Sequence, residues 1–168
     1  PGFTAARHTY AVVLHRQGRS AEALQEVERL LAADPRNPGL RSLQAAALAR
    51  LGEYERSIAV YEGILADYPG QAKLWMSLGH AFKTAGRQPD CVAAYGRSIE
   101  LSPSLGEAWW SLANLKTYRF EPRDVEAMRA QVSREDLPVE ASSRLIEEEQ
   151  FGAENQRPSQ GDPPRFPP

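Results

Sequence analysis

Lys73, Met76, His80 and Lys83 recur at steps of three and four residues, and Trp110, Asn114 and Tyr118 recur at steps of four. Those steps put side chains on one face of a helix. Ammonium, thioether, imidazole, amide and indole groups sharing a face offer charge, hydrogen bonds and apolar area. That is the equipment of a surface that binds another chain. The second set lies in "GEAWWSLANLKTYRF", residues 106–120, where Trp109 and Trp110 are adjacent. Neighbouring helical side chains point about 100° apart, so the two cannot fill one core slot.

Bond-breaking chemistry has no comparable support. The chain contains no G-x-G-x-x-G, P-loop, H-E-x-x-H or G-x-S-x-G pattern. "RPSQGD" near the C-terminus lacks the strand and helix that a phosphate loop needs. His8 and His15 fall two turns apart without a carboxylate or thiol at helical spacing, so no metal site is expected. Cys91 is the single cysteine and sits in a small-residue core position, which makes it structural and excludes an intrachain disulfide. Asp67 and Asp90 read as helix caps, and Glu147–Glu149 as a solvated face. We expect no enzyme, no cofactor and no metal.

Composition bounds the partners. The 168 residues, 42% hydrophobic and 25% charged, suffice for one globular unit or a short repeat array. A formal charge of -2 argues against a nucleic-acid surface. No apolar run of about 18 residues is present to span a membrane. One cysteine suits a reducing cytoplasm, while Pro1 in place of Met leaves room for an upstream segment. Of 20 basic residues 17 are Arg, which hints at a GC-rich bacterial gene.

The elements that must position the candidate residues come from an internal repeat. Gly18, Gly52 and Gly86 are 34 residues apart, and Pro35, Pro69 and Pro103 keep the same interval. Between each glycine and its proline runs one apolar stripe: Ala23, Val27 and Leu30; Ser57, Tyr61 and Ile64; Cys91 and Tyr95. Before each glycine runs another: Tyr10, Ala11 and Leu14; Ala45 and Leu48; Trp75, Leu78, Gly79 and Phe82. Each period is therefore a helical hairpin, with glycine closing the first helix and proline stopping the second. The spacing predicts helices near residues 4–17, 20–33, 38–51, 54–67, 72–85, 89–101, 106–118 and 122–133. A fourth period diverges, because Phe120 stands where the glycine belongs, although Val125, Met128 and Val132 still mark an amphipathic second helix.

The pattern resembles the tetratricopeptide repeat (TPR) family, best in the third period, where "WMSLGHAF" is followed by Cys91, Tyr95 and Pro103. The resemblance implies an all-α, right-handed superhelix of antiparallel hairpins. Its repeats fall at 4–37, 38–71 and 72–105, with a divergent fourth at 106–138. Residues 139–168, with five prolines and six acidic residues, read as a disordered tail, either a linker or an out-of-frame end, with a short helix possible over 141–151. The first helices would line a concave groove. That register places Ala5, His8, Val12, His15, Arg16, Gly39, Ser42, Ala46, Ala49, Glu107 and Thr117 beside the seven residues above. Trp109 takes the core slot of Trp75, and Trp110 turns into the groove or under a capping helix. Of the family's carboxylate-gripping positions only Lys73 fits, which argues against a co-chaperone.

A narrower likeness joins "GEAWWSLANLKTYRF" to "VEAMRAQV" and "DLPVE", which together are similar to the end of the TPR array in bacterial TPR-sulfotransferases. This likeness implies a non-catalytic arm whose sulfate-donor site lies in a longer parent. Two functions follow: a scaffold that binds a peptide or partner domain, or the arm of a sulfotransferase.

Overall fold

The computed structural model describes residues 3–135; the tail expected at 139–168, with its short helix, lies outside them. Eight helices follow one another: α1 (Thr4–Arg16), α2 (Ser20–Leu31), α3 (Pro38–Arg50), α4 (Tyr54–Asp67), α5 (Ala72–Thr84), α6 (Gln88–Leu101), α7 (Gly106–Ala113) and α8 (Pro122–Glu135). Among the described residues there is no strand. The fold is an all-α TPR solenoid. Its described residues divide into two units, one up to Phe120, holding α1 to α7, and one over 121–135, holding α8.

In the first unit each helix packs on its neighbours in sequence, α1 on α2, α2 on α3 and so on to α7. The hairpin turns explain the glycine period. Gly18, Gly52 and Gly86 have φ of 82°, 84° and 77°, a left-handed conformation that a Cβ disfavours. The residue after each returns a hydrogen bond to the helix just ended, as Glu53 N–H does to Leu48 O at 3.0 Å. Pro38 opens α3, where its missing N–H is harmless, and Asn37 caps it by accepting from Leu40 N–H at 3.1 Å.

The stripes read from sequence form the core: Ala11, Leu14, Ala23, Val27, Leu48, Ser57, Ile64, Cys91 and Tyr95 are buried. Two buried serine hydroxyls donate to main-chain carbonyls across the hairpins. Ser57 Oγ reaches Ala45 O and Ser98 Oγ reaches Ala72 O, both at 2.8 Å. Gly79 is where α5 and α6 touch, since a Cβ there would stand 2.5 Å from the Tyr95 ring. The slot filled by Trp in the later repeats is held the same way twice. The Nε1–H groups of Trp75 and Trp109 donate to the carbonyls of Pro69 (2.8 Å) and Pro103 (2.9 Å). In the first two repeats Arg7 and Arg41 occupy that slot and pair with Glu26 (2.9 Å) and Asp67 (3.4 Å) on the second helix.

Four expectations are corrected. Helix α7 ends at Ala113, not near 118. Asn114 and Thr117 are weak helix formers, Leu115 turns inward and is buried, Thr117 bonds Gln88, and Phe120 folds back to 6.4 Å from the Trp109 ring. Tyr10 is not core but 49% exposed. Asp67 and Asp90 lie near helix ends but are not the cap residues, which are Tyr68 and Arg87; Asp67 ends α4 beside Arg41 and Asp90 pairs with Arg87 Nε at 2.8 Å. Finally, Val125 and Val132 of α8 are exposed, so the stripe expected there is open. In its own unit α8 begins on Pro122, with Glu121 N–H donating to the Asp124 carboxylate at 2.9 Å.

Candidate functional site

Three first helices and one second helix enclose a cavity of about 300 Å³. Helix α1 supplies His15, α3 supplies Ala46, Ala49 and Arg50, and α5 supplies Ser77, His80, Ala81 and Thr84. Helix α4 contributes Tyr54 and Tyr61. The alanines explain the space: a small side chain at each inward turn of α3 leaves room between α1 and α5.

Its polar groups are held in place. Arg50 donates to His15 O at 3.0 Å, tying the second repeat to the first. Burial pushes the Tyr61 pKa up, opposed by Ser77 beside it, so it stays a neutral phenol. Thr84 donates to His80 O at 2.9 Å and Ser77 to Lys73 O at 3.0 Å, so both hydroxyls keep acceptor capacity. His80 Nδ1 lies 2.8 Å from the Tyr95 hydroxyl, with the rings edge to face at 5.3 Å. Burial lowers the His80 pKa; Lys83 lowers it further and Glu107 opposes them. Burial and then Arg50 lower that of His15. Both imidazoles are thus biased toward the neutral form, able to donate from one nitrogen and accept at the other. His15 Nδ1 is buried and has no partner in the protein.

A larger cavity, about 530 Å³, lies between α4 and α6 over Trp75, Leu78 and Phe82 of α5. Among its rim charges Asp90 pairs with Arg87 and Arg97 with Glu100. The smaller cavity offers the unspent hydrogen-bonding capacity that recognition of a polar chain requires.

The structure treats the predicted residues unequally. His80, with His15, Ala46 and Ala49, lines the cavity; Lys73, Met76 and Lys83 share α5 with His80 but not the lining. Lys73 and Lys83 are exposed and Met76 is half-buried. Trp109 is buried at 9% exposure, whereas Trp110 is 69% exposed. The strip running from Trp110 through Asn114 to Tyr118 does not exist as a helical face, because α7 stops first. Asn114 caps the end of α7, and the Tyr118 ring meets Phe120 edge to face at 5.1 Å. Arg50, Tyr54, Tyr61, Ser77 and Thr84 were missed. Tyr54 and Tyr61 stand on a second helix, which the groove register leaves out, and Tyr61 keeps core spacing and is buried.

Among the described residues no three His, Cys, Asp or Glu side chains are arranged to hold a metal ion. Burial raises the Cys91 pKa, which leaves an unreactive thiol. None of the described helices is long and apolar enough to cross a membrane.

Comparison with known proteins agrees with this fold. Residues 11–72 match the tetratricopeptide repeat. Over 99 residues, 59% of the chain, it is 29% identical to the Cell division cycle protein 27 homolog A of Arabidopsis thaliana, covering 14% of that protein. The chain spans only 11 to 23% of the length of the curated relatives it matches. Among solved structures, the first TPR of Spaghetti (RPAP3), bound to the HSP90 peptide SRMEEVD, superposes with a TM-score of 0.61 at 23% identity, covering 66% of this chain and 88% of that one. YrrB, a TPR protein with an unusual peptide-binding site, gives 0.62 at 14% identity, covering 66% and 57%.

Proposed function

We propose that the chain is a non-catalytic scaffold that binds a peptide or a segment of a partner protein along its first helices, on the groove floored by the His15–His80 cavity. The observation that carries this reading is the cavity itself. Two imidazoles biased toward the neutral form, two tyrosines and an arginine surround a gap floored by alanine, and His15 Nδ1 is left without a partner. A peptide backbone or polar side chain supplies the missing hydrogen bond, which matters because buried unpaired groups are penalised. Met76 and exposed Trp110 add apolar contact, Lys73 and Lys83 add positive charge, and Asn114 and Tyr118 mark the far edge. The peptide carried by Spaghetti and the peptide-binding site of YrrB support the same class of partner on a similar fold. On this reading the partner is a protein, not nucleic acid or a membrane, and the compartment is the cytoplasm.

Selection from a phage-displayed peptide library against the full chain tests it. Ala49→Arg fills the cavity and should weaken the selected peptides by about 2 kcal/mol or more, while Arg97→Ala on the opposite side should not. Peptides indifferent to Ala49→Arg would place binding elsewhere. The sulfotransferase-arm alternative rests on the 106–120 segment and requires a phosphate-loop domain encoded immediately downstream; a downstream sequence without one removes it.

A further inference from the structure

The cavity of about 530 Å³ lined by α4, α5 and α6 plays no part in the groove, yet its size is that of a ligand pocket. Its floor is apolar. Trp75, Leu78 and Phe82 of α5 form that floor, and the small side chains of Ala66 on α4 and Ala93 on α6 leave the space above it. The Phe82 ring is already covered, by an Arg87 guanidinium 4.6 Å from its centroid. Trp75 is held by its bond to Pro69 O but is only half-buried, so its indole, with exposed Ala66 and Ala93, is the apolar surface still unspent.

The rim sets the charge of what fits there. Asp90 is taken by Arg87 and Arg97 by Glu100, whereas Glu62 forms no ion pair among the described residues and acts on Arg87 at longer range. The corresponding positions one period earlier show what is missing. There Arg56 stands in place of Asp90, and Arg41 in place of Trp75 lays its guanidinium against Gly63 and pairs with Asp67. The earlier gap carries its own bases. In the later one those two bases have become an acid and an indole, Val60 and Gln44 have become Ala94 and Leu78, and the one base gained, Arg97, is matched by Glu100. We propose that the α4–α6 cavity is a second docking site, which takes an apolar side chain of a partner protein lying next to an arginine or lysine. The apolar group seats on Trp75 between Ala66 and Ala93, and the base pairs with the Glu62 carboxylate. The scaffold then holds two segments at once, one in the groove and one here.

Peptides selected from a phage-displayed library on the full chain should sort into two classes. One is released by Ala49→Arg, as the groove reading requires. The other ignores Ala49→Arg, carries Phe, Trp or Leu beside Arg or Lys, and is weakened about tenfold or more by Ala93→Arg, which fills the second cavity from an exposed position. Glu62→Gln, which keeps the side-chain shape, should weaken this class about two- to fivefold and flatten its salt dependence. Arg97→Ala should not weaken it. Members of the two classes should bind together without competing. A selection in which no peptide is sensitive to Ala93→Arg overturns the proposal, and so does a sensitive class that lacks a base or is indifferent to Glu62→Gln. Competition between the classes overturns it too, by reducing two sites to one. Loss of the Ala49-sensitive class alone would instead remove the groove reading and leave this site standing.

Discussion

Trp109 and Trp110 are neighbours in sequence with opposite surroundings, which makes them the sharpest pair to separate packing from recognition. Trp109→Ala empties a buried slot and breaks the bond to Pro103 O, so it should cost about 3 to 5 kcal/mol in chemical denaturation. Trp110→Ala removes an exposed ring, so melting should barely change, and any loss should appear in peptide affinity. Equal destabilisation by the two would show that Trp110 is covered in solution. Gly79 offers a second contrast. A side chain there drives into the Tyr95 ring, so Gly79→Leu should destabilise by about 1 to 3 kcal/mol or more, whereas open Gly106 should tolerate the same change better. His80 adds a pH dependence. Its folded pKa lies below the ordinary 6.5, so the folded state binds fewer protons than the unfolded chain. Stability is then full above 6.5 and falls as the pH drops below it and protonation breaks acceptance from Tyr95. The groups facing the ring are Tyr95, Lys83 and Glu107. Melting followed from pH 7.5 to 5.0 should show the loss, and His80→Gln should reduce it; a slope unchanged by the substitution would assign the effect to other groups.

At the scale of the element, what was legible in the sequence was what depends on one residue type at one place. Gly18, Gly52 and Gly86 mark the turns because only a residue without Cβ takes φ near 80° comfortably, and the prolines mark the stops. Seven helices accordingly fall within about two residues of their expected ends. Helix α7 does not, because its end depends on tertiary contacts: Leu115 turning inward, Gln88 holding Thr117, and Phe120 stacking toward Trp109. No local pattern announces those. The cavity was half legible for a related reason. A register rule assigns whole helices to faces, so it found His15, Ala46, Ala49 and His80 but not Tyr54 and Tyr61, which line the cavity from α4. Two glycines in different conformations separate the turn from its surroundings. Gly52→Ala forces a Cβ into the left-handed region and should cost about 1 kcal/mol, whereas Gly70→Ala, with ordinary φ and open space around it, should be close to neutral. Comparable shifts in thermal midpoint at the two sites would refute the role given to the period.

At the scale of the whole first unit, stability must be distributed along the stack, because helices pack chiefly on their sequence neighbours and little links α1 to α7 except what lies between. The two ends are weak for different reasons. Helix α1 leaves Tyr10 and Val13 uncovered, and α7 is only eight residues long. The middle is strong because Leu48, Ile64 and Tyr95 are enclosed by helices on both sides in sequence. Native-state hydrogen exchange should therefore open α1 and α7 at lower free energy than α3 to α6. Leu48→Ala, at the centre, should cost about 2 to 5 kcal/mol and speed exchange in α3, α4 and α5 together. Trp109→Ala should speed exchange in α7 and leave α3 untouched. The gradient matters for binding because the His15–His80 cavity draws its walls from α1, α3, α4 and α5 and so spans a weak end and the strong middle. A peptide seated there should slow exchange in α1 most, since that is the wall with the most ordering left to gain. Exchange at one common rate in every helix, with both substitutions accelerating all of them alike, would show a single cooperative block and overturn the account.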